Sequence, residues 1–218
     1  MNYSKKTWQN TDNIDWYENI PVESLRDLAI RGGIENGCDI DIIYPYIEKT
    51  KLVIEIGSGY GRAIRRLIEK GYQGKIHTLE RSKNFIRYLS EHFQSIDIIE
   101  AEIATYVPPV KYDAIIGVWS FIAEFPVDEQ LDMIKHLSHW LNDNGILILE
   151  TLATTPLNAT NTADAFYEIG TPYGTVWGHM PTQEQVCAYA KAANLKIVQL
   201  IEYKTSTDRA RVLYILSR

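Results

Sequence analysis

Short apolar runs alternate along most of the chain with longer stretches that have a helical period. The apolar runs predict buried strands at residues 51–56, 75–80, 96–100, 112–118 and 146–150. The stretches between them predict helices at residues 61–70, 83–93 and 128–141. Repeated strand–helix units of this kind predict a doubly wound α/β fold, with a mostly parallel sheet and helices on both faces.

The first fifty residues have a different pattern. Apolar positions at helical spacing predict short helices over 22–30 and 39–49. Residues 1–50 hold too few of these positions to form a core of their own, so we expect an N-terminal helical cap. The core of the same single domain then runs over 51–218.

The second half of the chain contains one long stretch without a clear period, residues 151–180. Irregular stretches of this length in a compact domain are usually functional. The capping box Thr182–Gln185 begins the next helix, and two strands over 195–204 and 210–217 predict a terminal hairpin.

Three glycines, Gly57, Gly59 and Gly61, lie at alternate positions between the first strand and its helix. Glycine has no Cβ and permits positive φ, so a nucleotide-type ligand can lie against the main chain here. A dinucleotide fingerprint would have its third glycine where this chain has Arg62. Glu55, two residues before the first glycine, favours a ligand with a cationic group over one with two phosphates.

A second acidic residue, Glu80, ends the next predicted strand. An acid at this place can accept hydrogen bonds from both hydroxyls of a ribose. Glu55 and Glu80 together therefore fit a nucleoside that carries a cationic tail.

These residues resemble the motifs of the class I S-adenosylmethionine-dependent methyltransferases. Residues 55–61, Glu-Ile-Gly-Ser-Gly-Tyr-Gly, match the family's first motif, and Glu80 matches the acid that ends its second strand. Residues 100–103 and 112–118 resemble the family's adenine-contacting segment and its fourth strand. The resemblance implies S-adenosylmethionine as the cofactor and a seven-stranded sheet whose last strand is antiparallel.

The resemblance also implies which residues bind the cofactor. The loop glycines would lie against its methionine part, Glu55 would hold its amino group, and Glu80 would accept its ribose hydroxyls. Glu102 and the main chain of Ile103 would meet adenine, while Trp119 either stacks on adenine or packs in the core. The full set is Glu55, Gly57, Ser58, Gly59, Gly61, Glu80, Glu102, Ile103 and Trp119.

Methyl transfer from a sulfonium depends mainly on alignment, and a general base is needed only when the acceptor loses a proton. His179 is the candidate base, because it lies among aromatic residues of the 151–180 stretch; the alternative is a loop histidine bonded to main chain. The aromatic residues of the N-terminal segment, Trp8 among them, either roof the pocket or pack the cap against the sheet. The candidate acceptor-binding residues are Trp16, Tyr17, Glu124, Tyr173 and Trp177.

Composition and charge restrict the class of substrate and the cellular compartment that we expect. The net charge of −6 and the lack of a basic stripe disfavour nucleic acid. Residues 118–121 also differ from the Asn/Asp-Pro-Pro-Tyr/Phe segment of the family's nucleic-acid amino methylases. No apolar run reaches the roughly 20 residues of a membrane span, the N-terminus lacks the apolar core of a signal peptide, and the two cysteines form no metal motif. We therefore expect a cytoplasmic enzyme that uses no metal and acts on a small molecule.

Two other functions remain open from the sequence. A nicotinamide-dependent oxidoreductase explains the fold and Glu80, but not the early third glycine. A non-catalytic protein that binds S-adenosylmethionine would keep the same motifs. The sequence determines neither the oligomeric state nor whether the accepting atom is oxygen, nitrogen, sulfur or carbon.

Overall fold

A computed structural model describes residues 11–153 and 165–218, and most of them lie in strands and helices. The strands are β1 (Leu52–Ile56), β2 (Lys75–Glu80), β3 (Ile96–Glu100), β4 (Tyr112–Gly117), β5 (Leu141–Leu152), β6 (Ala165–Thr171), β7 (Gly174–Met180), β8 (Lys196–Lys204) and β9 (Ala210–Ser217). The helices are α1 (Thr11–Asn19), α2 (Val22–Gly32), α3 (Cys38–Ile47), α4 (Arg62–Glu69), α5 (Lys83–His92), α6 (Val127–Ser138) and α7 (Gln183–Ala192), with a short 3₁₀ helix at Phe121–Glu124.

The main sheet has the strand order β3-β2-β1-β4-β5-β9-β8. β1 pairs in parallel with both β2 and β4, whereas β9 is antiparallel to its neighbours β5 and β8. The expected doubly wound sheet with an antiparallel last strand is therefore confirmed. The strand order reverses between β1 and β4, and this switch point opens a crevice at the carboxyl ends of the two strands.

Helices cover both faces of the sheet, because each has one apolar stripe to bury. On one face, α6 and α7 bury residues such as Met133, Leu137 and Val186 against the strands. On the other face, α3 and α4 contribute Ile43 and Leu67. A third cluster joins the cap helices α1 and α2 to the core through Trp16, Ile20, Leu25, Ala29, Ile34, Tyr60 and Phe85.

The structure corrects three of the predicted elements. Residues 165–180 form a two-stranded hairpin, β6 and β7, where we expected an irregular stretch; residues 154–164 lie outside the described ranges. The hairpin packs through β7 against α1 and the 3₁₀ helix, which does not impose the alternation of a strand in the main sheet. α1 likewise forms in a segment with little helical period. β5 begins at Leu141, five residues earlier than expected, because Leu141 already pairs with Tyr112 of β4.

Gly61 is the N-cap residue of α4, and its surroundings show how tightly the glycine loop is packed. Its φ is +76°, and a Cβ there would lie 2.6 Å from the Phe93 ring and 2.8 Å from Leu89. Gly71 has nearly the same φ, +78°, but no atom would lie within 4 Å of its Cβ. We expect Gly71→Ala to cost about 1 kcal/mol of unfolding free energy from backbone strain, and Gly61→Ala about 1–3 kcal/mol more from overpacking.

Urea unfolding of the two variants measures this difference, since Gly71→Ala carries the strain without the contact. Equal losses in the two variants would contradict the steric role of Gly61.

Candidate functional site

The crevice at the switch point is a cavity of about 1090 Å³. Its floor is the carboxyl edge of β1, β2 and β4, and its roof is made by α1, α2 and the β6–β7 hairpin. Ligands of open α/β sheets bind at this edge, so the position of the cavity agrees with the sequence motifs.

The glycine loop presents bare main chain to this cavity. Gly57 and Gly59 have φ values of +66° and +52°, which place both in the left-handed region. The backbone N–H of Gly57 donates to Leu79 O at 2.8 Å, which ties the loop to the end of β2. A Cβ on Gly57 would have no neighbour closer than 4.0 Å, so the side of the loop that glycine leaves open faces free space.

Glu80 both orders this loop and borders the cavity. Its Oε2 accepts from the Gly59 N–H at 2.8 Å, and its Oε1 accepts from the N–H groups of Arg81 and Ser82 at 2.8 and 2.9 Å. Burial raises the pKa of this carboxyl, and the three backbone donors oppose that shift. A carboxylate has about four acceptor positions, so Glu80 retains capacity for a further donor.

Glu55 is the most unusual group of the cavity wall. Its side chain is buried, and among the described residues its Oε2 has no hydrogen-bond partner. Burial raises the pKa of the Glu55 carboxyl to about 8, an effect that the nearby Arg62 opposes. Arg62 is itself held by Asp39 at 2.6 and 2.7 Å, so its guanidinium is already paired. A buried acceptor without a donor is costly, and a cationic ligand group would satisfy it.

A third acidic residue lies farther along the wall. The Arg81 guanidinium donates to Glu102 Oε2 at 3.1 Å, and both residues line the cavity together with Ile103. Ile103 is buried, and its carbonyl contacts His136 Nε2 at 3.1 Å. The main chain and side chains here offer the polar and apolar contacts that a purine needs.

The cap and the hairpin are fastened together above the cavity. The side-chain amide of Asn13 makes two hydrogen bonds of 2.9 Å with the main chain of Trp177, as a neighbouring strand would. Trp16 Nε1 donates to Thr171 Oγ1 at 2.7 Å. The Tyr17 hydroxyl donates to Glu124, which joins the cap to the segment after β4. The cap helix α1 is therefore held both to the hairpin and to the sheet edge.

Most of the predicted site residues line the cavity. Of the cofactor set, those on the wall are Glu55, Gly57, Ser58, Gly59, Glu80, Glu102, Ile103 and Trp119. Of the acceptor set and the candidate base, those on the wall are Trp16, Tyr17, Glu124 and His179. Trp8 lies outside the described residues.

Three predicted residues lie behind the wall. Gly61 supports the start of α4, as described above. Tyr173 bonds to Ser24 Oγ at 2.8 Å, between the hairpin turn and α2. Trp177 is fully buried beneath the roof, where its main chain is paired with Asn13. All three act on the cavity only through their neighbours.

His179 lies on β7 rather than on an irregular loop. Its ring is 4.9 Å from that of Phe166 and 5.6 Å from that of Trp177, centroid to centroid. Its carbonyl accepts from Gln130 Nε2 at 2.7 Å. The His179 ring therefore lies among aromatic side chains on the cavity wall.

Tyr167 and Arg211 are among the wall residues that were not anticipated from the sequence. Tyr167 pairs across the hairpin with Gly178, and a Cβ on that glycine would lie 2.5 Å from the Tyr167 hydroxyl. Glycine thus leaves the space that the Tyr167 ring occupies. Arg211 is a cation at the start of the apolar strand β9, and this is the one local signal that would have identified it.

Comparison with known proteins gives a sequence match for the middle of the chain. Residues 53–145 match the family model of a methyltransferase domain. The trans-aconitate 2-methyltransferase of Afipia carboxidovorans is 26% identical over 102 residues, which are 47% of this chain and 39% of that protein. The match thus spans about two fifths of the length of this curated relative.

Solved structures resemble the whole fold. The 1,6-didemethyltoxoflavin-N1-methyltransferase of Burkholderia thailandensis, solved with 1,6-didemethyltoxoflavin and S-adenosylhomocysteine, has a TM-score of 0.75 at 8% identity and covers 100% of this chain and 93% of its own. The magnesium protoporphyrin IX methyltransferase of Synechocystis, solved with S-adenosylhomocysteine, has a TM-score of 0.72 at 13% identity. The match covers 95% of this chain and 98% of that one. At these identities the likeness establishes the fold.

Among the described helices, none combines the length with the apolar character that a membrane crossing requires.

Proposed function

We propose that this chain, which belongs to the class I S-adenosylmethionine-dependent methyltransferases, transfers a methyl group from S-adenosylmethionine to a small-molecule acceptor. The proposal rests on Glu55. A buried carboxylate with an unpartnered oxygen, next to bare glycine main chain, fits the amino group of a methionine tail. The nicotinamide cofactors have no ammonium group to donate a hydrogen bond here, because the positive charge of their oxidised form lies on a ring nitrogen that carries no hydrogen.

The remaining wall residues fit the other parts of the cofactor. Glu80 has acceptor capacity for the ribose hydroxyls, and Glu102 with the Ile103 main chain would meet adenine. The cofactor supplies an activated methyl group on a sulfonium. The protein then needs to align the acceptor with that methyl and exclude water, and alignment alone contributes on the order of 7–11 kcal/mol to such reactions.

The charges of the cavity favour an uncharged or cationic acceptor. Three of its guanidiniums are already paired, Arg62 with Asp39, Arg81 with Glu102 and Arg211 with Glu150. A fourth arginine on the wall, Arg209, is exposed. The acidic groups of Glu80 and Glu124 have no cationic partner within ion-pair distance among the described residues. A polyanion such as a tricarboxylate would meet an acidic wall, so we expect a different acceptor from that of the trans-aconitate enzyme.

Aromatic side chains make up much of the wall. They are Trp16, Tyr17, Tyr60, Trp119, Phe121, Phe125, Phe166 and Tyr167. Aromatic walls bind planar or cationic groups well. When the acceptor must lose a proton, Glu124 and His179 are the groups placed to take it, and burial raises the pKa of the Glu124 carboxyl toward that role.

Formation of S-adenosylhomocysteine tests the proposal. The purified protein is incubated with S-adenosylmethionine and a panel of aromatic amines, phenols and heterocycles, with trans-aconitate included. We expect product with at least one uncharged or cationic aromatic acceptor. Binding of the cofactor without turnover on the panel would instead support a non-catalytic binding protein. A rise in the melting temperature with NAD but not with S-adenosylmethionine would support an oxidoreductase.

Tyr17→Phe tests the acceptor end separately from the cofactor end. The Glu124 carboxyl loses its hydroxyl donor, so we expect turnover to fall about tenfold, while the affinity for S-adenosylhomocysteine changes less than threefold. Tyr46→Phe is the matched control, because it removes a tyrosine hydroxyl that bonds to Gln199 at 2.7 Å far from the cavity. Equal turnover in the two variants would exclude a role for the Tyr17 hydroxyl.

A further inference from the structure

The loop after β4 has an unfavourable backbone conformation. Trp119 and Ser120 have φ values of +55° and +61°, and they are consecutive residues with side chains. Each costs about 1–2 kcal/mol in the left-handed region, so the surrounding structure must support them. Both residues line the cavity, and Phe121 and Glu124 follow them on its wall.

Two buried side chains supply that support. Glu150, on β5, accepts from the backbone N–H of Trp119 at 2.6 Å. Arg211, on β9, donates from Nη2 to Ser120 Oγ at 2.9 Å. One side chain thus fixes the main chain of the first left-handed residue, and the other fixes the side chain of the second.

The two supporting residues are themselves locked together. Arg211 donates from Nε to Glu150 Oε1 at 2.7 Å and from Nη2 to Glu150 Oε2 at 2.9 Å. The Tyr203 hydroxyl also donates to Glu150. Glu150 is 0% exposed and Arg211 is 4% exposed. The pair is therefore buried away from water, is held by Tyr203, and contacts the loop through Trp119 and Ser120.

A buried ion pair of this kind is not explained by stability alone. The desolvation of two charges costs about as much as the pairing returns, and apolar residues of the same volume often stabilise a protein equally well. The contacts with Trp119 and Ser120 give the pair a different role, because an apolar pair would provide neither the acceptor nor the donor.

We propose that Glu150 and Arg211 are positioning residues, which hold Trp119 and Ser120 in the left-handed conformation and so set the cavity wall between the cofactor end and the acceptor end. The effect of this positioning on ligand binding rests on the proposed function. The effect on the loop itself does not, because it exists in the protein without a ligand.

The double variant Glu150→Met/Arg211→Met tests this role. It replaces the pair with two unbranched apolar side chains, which can fill the same space. Hydrogen–deuterium exchange of the ligand-free protein should show at least tenfold faster exchange over residues 119–124, with β1 and β2 unchanged. Isothermal titration should show at least fivefold weaker binding of S-adenosylhomocysteine.

Adding Ser120→Gly to the double variant should restore part of the protection and part of the affinity. Glycine adopts the left-handed conformation without strain, and a merely structural role of the pair predicts no such rescue. Asp41→Met/Arg66→Met is the matched control, because it removes a bidentate pair of 3.0 and 2.7 Å between α3 and α4. This control should leave the loop and the titration unchanged.

A folded double variant with unchanged exchange over residues 119–124 would overturn the proposal. If the double variant does not fold, Arg211→Lys tests the proposal instead, because lysine keeps the charge but cannot make the two-pronged contact of the guanidinium. Hydrogen–deuterium exchange over residues 119–124 must then be at least threefold faster than in the wild type. A wild-type protein that does not bind S-adenosylhomocysteine would refute the proposed function, while the exchange measurement would still decide the positioning role.

Discussion

Glu80→Ala should weaken binding of S-adenosylhomocysteine at least tenfold. The substitution removes a buried carboxylate that accepts from the Gly59, Arg81 and Ser82 N–H groups and lines the cavity, where we propose that it binds the ribose. Hydrogen bonds to a charged group contribute about 1.5–3 kcal/mol each, and about 1.4 kcal/mol corresponds to a factor of ten in affinity. Isothermal titration measures the change.

Two further variants separate the ribose contact from the support of the loop. Glu100→Ala removes an exposed acid from the end of β3, at the position that pairs with Glu80, and should leave the affinity unchanged. Glu80→Gln keeps one acceptor oxygen for the backbone donors and should show an intermediate loss. Unchanged affinity in a folded Glu80→Ala variant would refute the assignment of Glu80 to the ribose.

Binding of the cofactor product should release close to one proton from Glu55. Burial raises the pKa of this carboxyl to about 8, so it is protonated in the empty cavity near neutral pH. A ligand ammonium beside it favours the charged form and lowers its pKa. Affinity should therefore rise about tenfold per pH unit between pH 5.5 and 7.5, where the ligand amino group remains mostly charged.

Isothermal titration in two buffers of different ionisation enthalpy counts the released proton. Glu55→Gln keeps the shape of the side chain but does not titrate, so its affinity should be independent of pH in this window and its proton release near zero. Proton release that is the same in the two proteins would show that another group titrates and that Glu55 does not contact the amino group.

The same pKa provides a control that needs no ligand. The folded-state pKa of Glu55, about 8, is above the ordinary glutamate value of 4.5. The folded protein then binds more protons than the unfolded chain between these values, so the free energy of unfolding falls as pH rises through this window. The decrease that is due to Glu55 should be on the order of 2–4 kcal/mol, and Glu55→Gln should abolish it in urea unfolding.

The sequence predicted those parts of the fold that local patterns encode. Residues 75–80 and 96–100 form the strands that their apolar runs predicted. The glycine loop and Glu80 have the expected places because they follow strands directly, and parallel strands bring their carboxyl ends to one edge. Local sequence patterns were therefore sufficient to predict the part of the cavity that we assign to the cofactor.

The acceptor end depends on contacts between distant parts of the chain. Asn13 and Trp177 meet through two hydrogen bonds across 164 positions of sequence, and no periodicity in either segment indicates this pairing. Tyr167 reaches the cavity only because Gly178 lies opposite. Arg211 supports Ser120 across 91 positions. Tertiary packing, rather than local propensity, therefore determined the roof and the loop after β4.

The most direct test is a parallel titration of the purified protein with S-adenosylhomocysteine and with NAD. The geometry of Glu55, the glycine loop and Glu80 predicts saturable binding of S-adenosylhomocysteine at one site per chain, and no binding of NAD at the same concentrations. Absence of S-adenosylhomocysteine binding, or competition by NAD for the same site, would contradict the assignment of this crevice to a sulfonium nucleoside.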